Sequence, residues 1–172
     1  MYKVGTYVSY RSEGVCVISE IRSQKFGTLN EHKDFYILSP LRDASSTLFV
    51  PADNEALLAK MRPLCSASEI NAIASKLVDK RLEWDAQPRR RSNYFKDILS
   101  DGNRELLISL IHTVNDKENE LSKQGKHVTQ GDMTALERAK KMLVNELSFT
   151  TDISDEETLM AVINCEIECN DK

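Results

Sequence analysis

The feature that most constrains this chain is a change of period near residue 54. Before it, apolar residues alternate or fall in short β-branched clusters; after it, they recur every three or four positions. Thr6–Tyr10 (TYVSY) and Gly14–Ile21 (GVCVISEI) predict two strands, joined by the short polar connection Arg11–Glu13. A polar excursion runs from Arg22 to Lys33, with Gly27 and Asn30 as turn formers. Asp34–Leu38 (DFYIL) and Ser46–Pro51 (STLFVP) predict two further strands. So few short strands cannot build a large sandwich, and they suit a small, strongly bent barrel or half-barrel of the Tudor or SH3 type.

From Asn54 the pattern is helical. Asn54 caps a short helix over EALLAKM, closed by Arg62 and Pro63. Ser66 or Ser68 caps the next, in which Ile70, Ile73, Leu77 and Trp84 form one apolar stripe. Asp85–Gln87 breaks that helix. Pro88 opens another, which carries Arg89 to Leu99 and stops near Asp101 and Gly102. Leu106–Val114 marks a further amphipathic helix. Thr129 with Asp132 reads as a capping box before Met133–Leu147, and Ser154 with Glu157 as one opening a last helix to about Glu168. The expectation is an α+β chain: a small N-terminal Tudor/SH3-like β-barrel module, residues 1–53, followed by an all-α C-terminal module of about five helices, residues 64–172.

Charge is segregated along the chain. The window Lys80–Lys96 (KRLEWDAQPRRRSNYFK) has six basic and two acidic residues in a protein whose formal net charge is −4. It also holds the only tryptophan, Trp84, with Tyr94 and Phe95 nearby. Basic side chains release counterions from a phosphate backbone, and an adjacent ring can stack on or wedge against bases. The same residues also fit a solvated charged helix face beside a core aromatic. Residues 1–60 are balanced, seven basic against seven acidic, and residues 145–172 hold eight acids and one lysine.

No catalytic constellation is present. His32, His112 and His127 have no motif around them, and there is no Gly-rich phosphate loop or nucleophile elbow. Four scattered cysteines do not make a disulfide framework. Cys165 and Cys169, four apart on an expected helix face, could supply two metal ligands, but no other Cys or His pair nearby completes a tetrahedral site. Reduced structural cysteines, no cofactor and no metal are expected. No run approaches a signal peptide or a membrane span, so a cytoplasmic, non-enzymatic binding protein is expected.

The order of these features resembles the CarD/CdnL transcriptional regulators, whose N-terminal module is shared with the polymerase-interacting domain of the transcription-repair coupling factor. Lys3–Ile21 (KVGTYVSYRSEGVCVISEI) is similar to the family's opening, with Gly5 before the first strand, Tyr10 at its end and Gly14 after the turn. DFYIL and LFVPADN (Leu48–Asn54) fit the following strands. Arg90, Arg91, Leu99 and Gly102 fit the arginine-rich helix, and Ala135–Ser148 (ALERAKKMLVNELS) resembles the penultimate one. The resemblance implies a bacterial regulator that docks on the RNA polymerase β subunit, contacts promoter DNA at the upstream edge of the open bubble, and tunes open-complex lifetime.

The resemblance also implies site residues. The polymerase contact falls on Arg22, Gln24, Lys25, Thr47, Phe49 and Pro51, with Gln24 and Phe49 standing where some members have basic residues. The DNA contact falls on Arg89, Arg90, Arg91, Lys96 and Trp84, through phosphates and not through base sequence. The family's tryptophan precedes its arginine-rich helix directly. Counted back from Gly102, that position is Pro88 here, and Trp84 lies four residues earlier. Trp84 is therefore either a DNA wedge or the end of the apolar stripe. A monomer is expected. The competing readings are a protein–protein adaptor without DNA contact, whose basic edge meets an acidic partner or the chain's own acidic terminus, and an accessory protein with a metal at Cys165 and Cys169.

Overall fold

A computed structural model describes residues 2–26, 31–43 and 45–172, so Gly27 and Asn30 lie outside the described residues. The chain divides into two compact units, Met1–Leu64 and Cys65–Lys172.

The first unit is a five-stranded antiparallel sheet: β1 (Tyr7–Tyr10), β2 (Gly14–Phe26), β3 (Glu31–Pro40), β4 (Leu48–Pro51) and β5 (Met61–Arg62), with the one-turn helix α1 (Glu55–Leu58) between the last two. Its order is β4-β3-β2-β1-β5. The sheet does not close: β4 and β5 are its edges, in place of the expected barrel. A two-residue β5 offers too short a ladder to join the opposite edge. Arg11–Glu13 forms a 3-10 turn, and Gly14 leaves it at φ 73, which glycine adopts without Cβ strain.

β2 runs on through Arg22–Phe26, where the sequence predicts an irregular excursion. A bulge between Ile18 and Glu20 shifts its phase. Ile18 pairs with Leu38 on the core side, and Glu20 then pairs with Ile37 on the other face. Val8, Cys16, Ile18, Tyr36, Leu38, Val50 and Met61 make the core, against which Leu57 and Leu58 of α1 pack. The cap of α1 is as the sequence indicates: Asn54 Oδ1 accepts from Leu57 N at 3.1 Å.

The second unit comprises α2 (Ala67–Leu77), α3 (Pro88–Asp101), α4 (Arg104–Ser122), α5 (Gln130–Thr150) and α6 (Glu156–Ile163) around one apolar core. Local signals fix most ends. Ser66 with Glu69 and Thr129 with Asp132 form complete capping boxes, Pro88 is the first residue of α3, and Gly102 ends it in the left-handed region. Two expectations change. α2 stops at Leu77, where Arg81 Nη1 donates to the Val78 and Lys80 carbonyls, so Trp84 reaches the core from an extended segment. α6 is capped by Asp155, whose Oδ1 accepts from Thr158 N at 2.8 Å, and ends before Cys165. Cys165 and Cys169 are therefore not on a helix face.

The C-terminal residues return to α2. Asp171 Oδ1 accepts from Ala67 N at 2.7 Å in its first turn, and Asn71 bonds both ways with Cys169. Among the described residues, no ion pair joins this acidic stretch to Arg89 or Arg90.

Candidate functional site

The arginine run lies at the start of α3, and helix geometry separates its members. Arg91 shares a face with Phe95 and Ile98, four and seven positions on, and all three are buried. Arg90 and Tyr94 form a second face, Arg89 and Lys96 a third, and all four are exposed. The first turn of α3 contains no acid, and Gln87 provides no side-chain cap. Arg89 and Arg90 thus sit against the positive end of the helix dipole, which raises the local potential for an anion. Arg90 has only a loose partner, Asp85 at 4.0 Å, and its side chain is 72% exposed. Among the described residues, Arg89 and Lys96 have no ion-pair partner.

Arg91 departs from the expected phosphate contact. It is 4% exposed, and its Nε and Nη2 donate to the two carboxylate oxygens of Asp132 at 2.8 and 2.7 Å. Nη1 donates to the Asp85 carbonyl at 2.6 Å, and the guanidinium carbon lies 4.0 Å from the centre of the Trp84 ring. Burial alone would raise the Asp132 carboxyl. Hydrogen bonds from Arg91 and Thr129 outweigh it and hold the group below its ordinary value. The positive charge of Arg91 is thus neutralised inside the unit. The signal for this was present in the sequence, because Arg91 falls on the Phe95–Ile98 stripe.

Trp84 is half-buried. It packs on the helical core and stands edge-on to Phe95 at 6.4 Å between centroids. The rest of the ring lines a cleft of about 480 Å³ with Glu83, Asp85, Ala86, Arg90 and Tyr94. Trp84 and Arg90 are therefore brought together. Lys96 belongs to a second cleft of about 250 Å³, where Ser92, Lys96 and Leu99 of α3 face Thr134, Ala135 and Arg138 of α5. Glu83 and Asp85 make the first cleft unfavourable for phosphate itself.

In the first unit, the register collects most of the candidate polymerase residues on the sheet face opposite the core. Arg22, Phe35 and Pro51 form one row across three strands, and Glu20, Ile37 and Phe49 the next. Gln24, two residues beyond Arg22, shares that face. Phe49 is 50% exposed and covers Phe35 edge-on at 6.5 Å. Arg22 is held by Glu20, Nε to Oε1 at 2.9 Å. Lys25 alternates to the other face, and Thr47 precedes β4. Because β4 is an edge, its outer side has no strand partner among the described residues.

The remaining candidates for chemistry stay apart. All four cysteines are free thiols, and burial pushes Cys65 up to about 11 and Cys16 up to about 12. Among the described residues, no group of three His, Cys, Asp or Glu side chains could hold a metal ion, and no helix is long and apolar enough to cross a membrane.

Residues 2–65 match the family model described as the CarD-like/TRCF RID domain, which marks the first unit as CarD-like. That family is one of interaction domains, not catalytic ones. No curated protein matches the chain.

Proposed function

We propose that the protein is a bacterial, cytoplasmic transcription regulator, acting as a monomer, that docks on the RNA polymerase β subunit through its first unit and on promoter DNA through its second. Held at both, it tunes the lifetime of the open complex. The observation that carries the DNA half is the start of α3. Two exposed arginines, Arg89 and Arg90, the latter only loosely paired with Asp85, stand at a helix N-terminus beside a cleft lined by Trp84 and Tyr94. Arg89, Arg90 and Lys96 meet phosphates, and the open part of Trp84 stacks on or wedges against a base at the unwound edge. On the polymerase side, the β4 edge adds main-chain hydrogen bonds, while Phe49, Pro51, Arg22 and Gln24 set the fit.

Salt titration of binding to duplex DNA tests this reading. Each phosphate contact contributes about −0.9 to the slope of log K against log salt, so replacing Arg89 and Arg90 together with Ala should flatten it by about 1.8. Different promoter sequences should weaken alike. An unchanged slope would favour the adaptor reading, in which the basic edge meets an acidic protein.

A further inference from the structure

We infer that Arg91 is a positioning residue of the DNA interface: it meets no phosphate, and instead holds Trp84 and the wall of the cleft in their binding pose. The inference rests on the reading that the second unit binds DNA. The wall, Glu83–Ala86, belongs to no helix or strand. It is tied to α3 and its cap by Arg91, through the Asp85 carbonyl and the face of Trp84, by the edge contact of Trp84 with Phe95, by the loose Arg90–Asp85 pair, and by the Asp85 carboxylate, which accepts from Gln87 N at 2.8 Å.

The other end of Arg91 is anchored as firmly. Asp132 accepts from it through both oxygens, and is itself fixed in the first turn of α5, where Oδ2 accepts from Thr129 N at 3.0 Å and from Thr129 Oγ1 at 2.7 Å. Asp132 thus ties the pose of Trp84 to α5 through one guanidinium, alongside the packing of the ring on Phe95. Only arginine can do this, because the arrangement uses a planar fork for the carboxylate, a third donor for the carbonyl and a flat face for the indole. A buried ion pair is weak evidence for net stability, since packed apolar residues do as well. Its directional geometry is what apolar packing would not supply, and a preformed cleft avoids the ordering cost on binding.

Lysine at position 91 separates charge from position. In the full chain, Arg91→Lys keeps the positive charge, and the sole tryptophan reports its own environment. The expected results are a red-shifted emission and lower anisotropy for Trp84 in the free protein. Duplex-DNA affinity should fall about tenfold, the scale of one lost base–aromatic stack, with no change in the salt slope. Lys76→Arg, a charge-conserving change on α2 outside the interface, where Lys76 pairs with Glu105, should leave fluorescence and affinity unchanged. Asp132→Asn should mimic Arg91→Lys, and the double variant should be no worse than either single one, because both break one latch. If Arg91→Lys does not fold, Asp132→Asn carries the same expectations. Wild-type affinity in Arg91→Lys, or an emission and anisotropy of Trp84 unchanged by it, would overturn the inference. If wild-type protein binds no DNA at any salt, the functional reading falls and this inference with it; DNA binding with an indifferent Arg91 removes the inference alone.

Discussion

Trp84→Ala is the perturbation with the largest consequence, because the ring is both packing and surface. A fully buried aromatic truncated to Ala costs about 3–5 kcal/mol, and half-burial brings that to about 2. The face-on contact with Arg91 adds about 1 kcal/mol, since the guanidinium is desolvated, and the edge contact with Phe95 is already part of the packing. A total of about 2–3 kcal/mol should lower the melting temperature of a unit of about a hundred residues by roughly 10 °C. Far-UV circular dichroism of the full chain is the suitable assay, because nearly all helical residues belong to the second unit. The sequence leaves two exclusive fates for Trp84, wedge or core. The structure gives it both packing and partial exposure to a cleft, so under the proposed DNA contact affinity should fall along with stability, and by about tenfold. A melting temperature within about 2 °C of wild type would refute the packing of Trp84 against Arg91 and Phe95 as a source of stability.

Three further outcomes follow from named contacts. Phe49→Ala should cost only about 1 kcal/mol of stability, because the ring is half-exposed and its main loss is the cover over Phe35, while polymerase binding weakens at least tenfold; equal binding would remove Phe49 from the interface. His112 is buried with no well-formed hydrogen bond at either ring nitrogen, and burial, reinforced by the Arg81 charge, lowers its pKa despite the nearby Leu77 and Ile163 main chain. The unfolded chain therefore takes up a proton at about pH 6.5 that the folded chain refuses until lower pH, so stability falls as pH drops through that window and is flat above it. Melts between about pH 5 and 7.5 should show this slope in wild type and not in His112→Leu. Asp155→Ala should cost about 1 kcal/mol in chemical denaturation and Ser154→Ala much less, because Asp155 caps α6.

What could be read from the sequence was what local chemistry decides. Asn54, Ser66 and Thr129 announce helix starts because a capping side chain meets an amide only two or three residues away, and Pro88 and Gly102 bracket α3 for equally local reasons. The losses are where distant segments decide. β5 exists because Met61 and Arg62 pair with Tyr10 and Ser9, a partnership that no two-residue pattern signals. The stripe ending at Trp84 suggests a continuous helix, yet Leu82 N donates to Thr113 Oγ1 and draws the chain off the helix path. β2 outlasts its apolar run because β3 pairs with Arg22–Lys25, and polar side chains do not oppose a ladder at the surface. Three adjacent arginines read as one charge cluster, whereas a turn of about 100° per residue sends the third inward to Asp132, forty-one positions away.

Open-complex lifetime reports whether one chain holds polymerase and DNA at once. Heparin-challenged promoter complexes should decay at a different rate when the full-length protein is present. Arg89→Ala with Arg90→Ala should abolish that difference while still binding polymerase, and Phe49→Ala should diminish it through lost polymerase binding. A lifetime that wild-type protein leaves unchanged while bound to polymerase, or changes equally without the two arginines, would contradict the account.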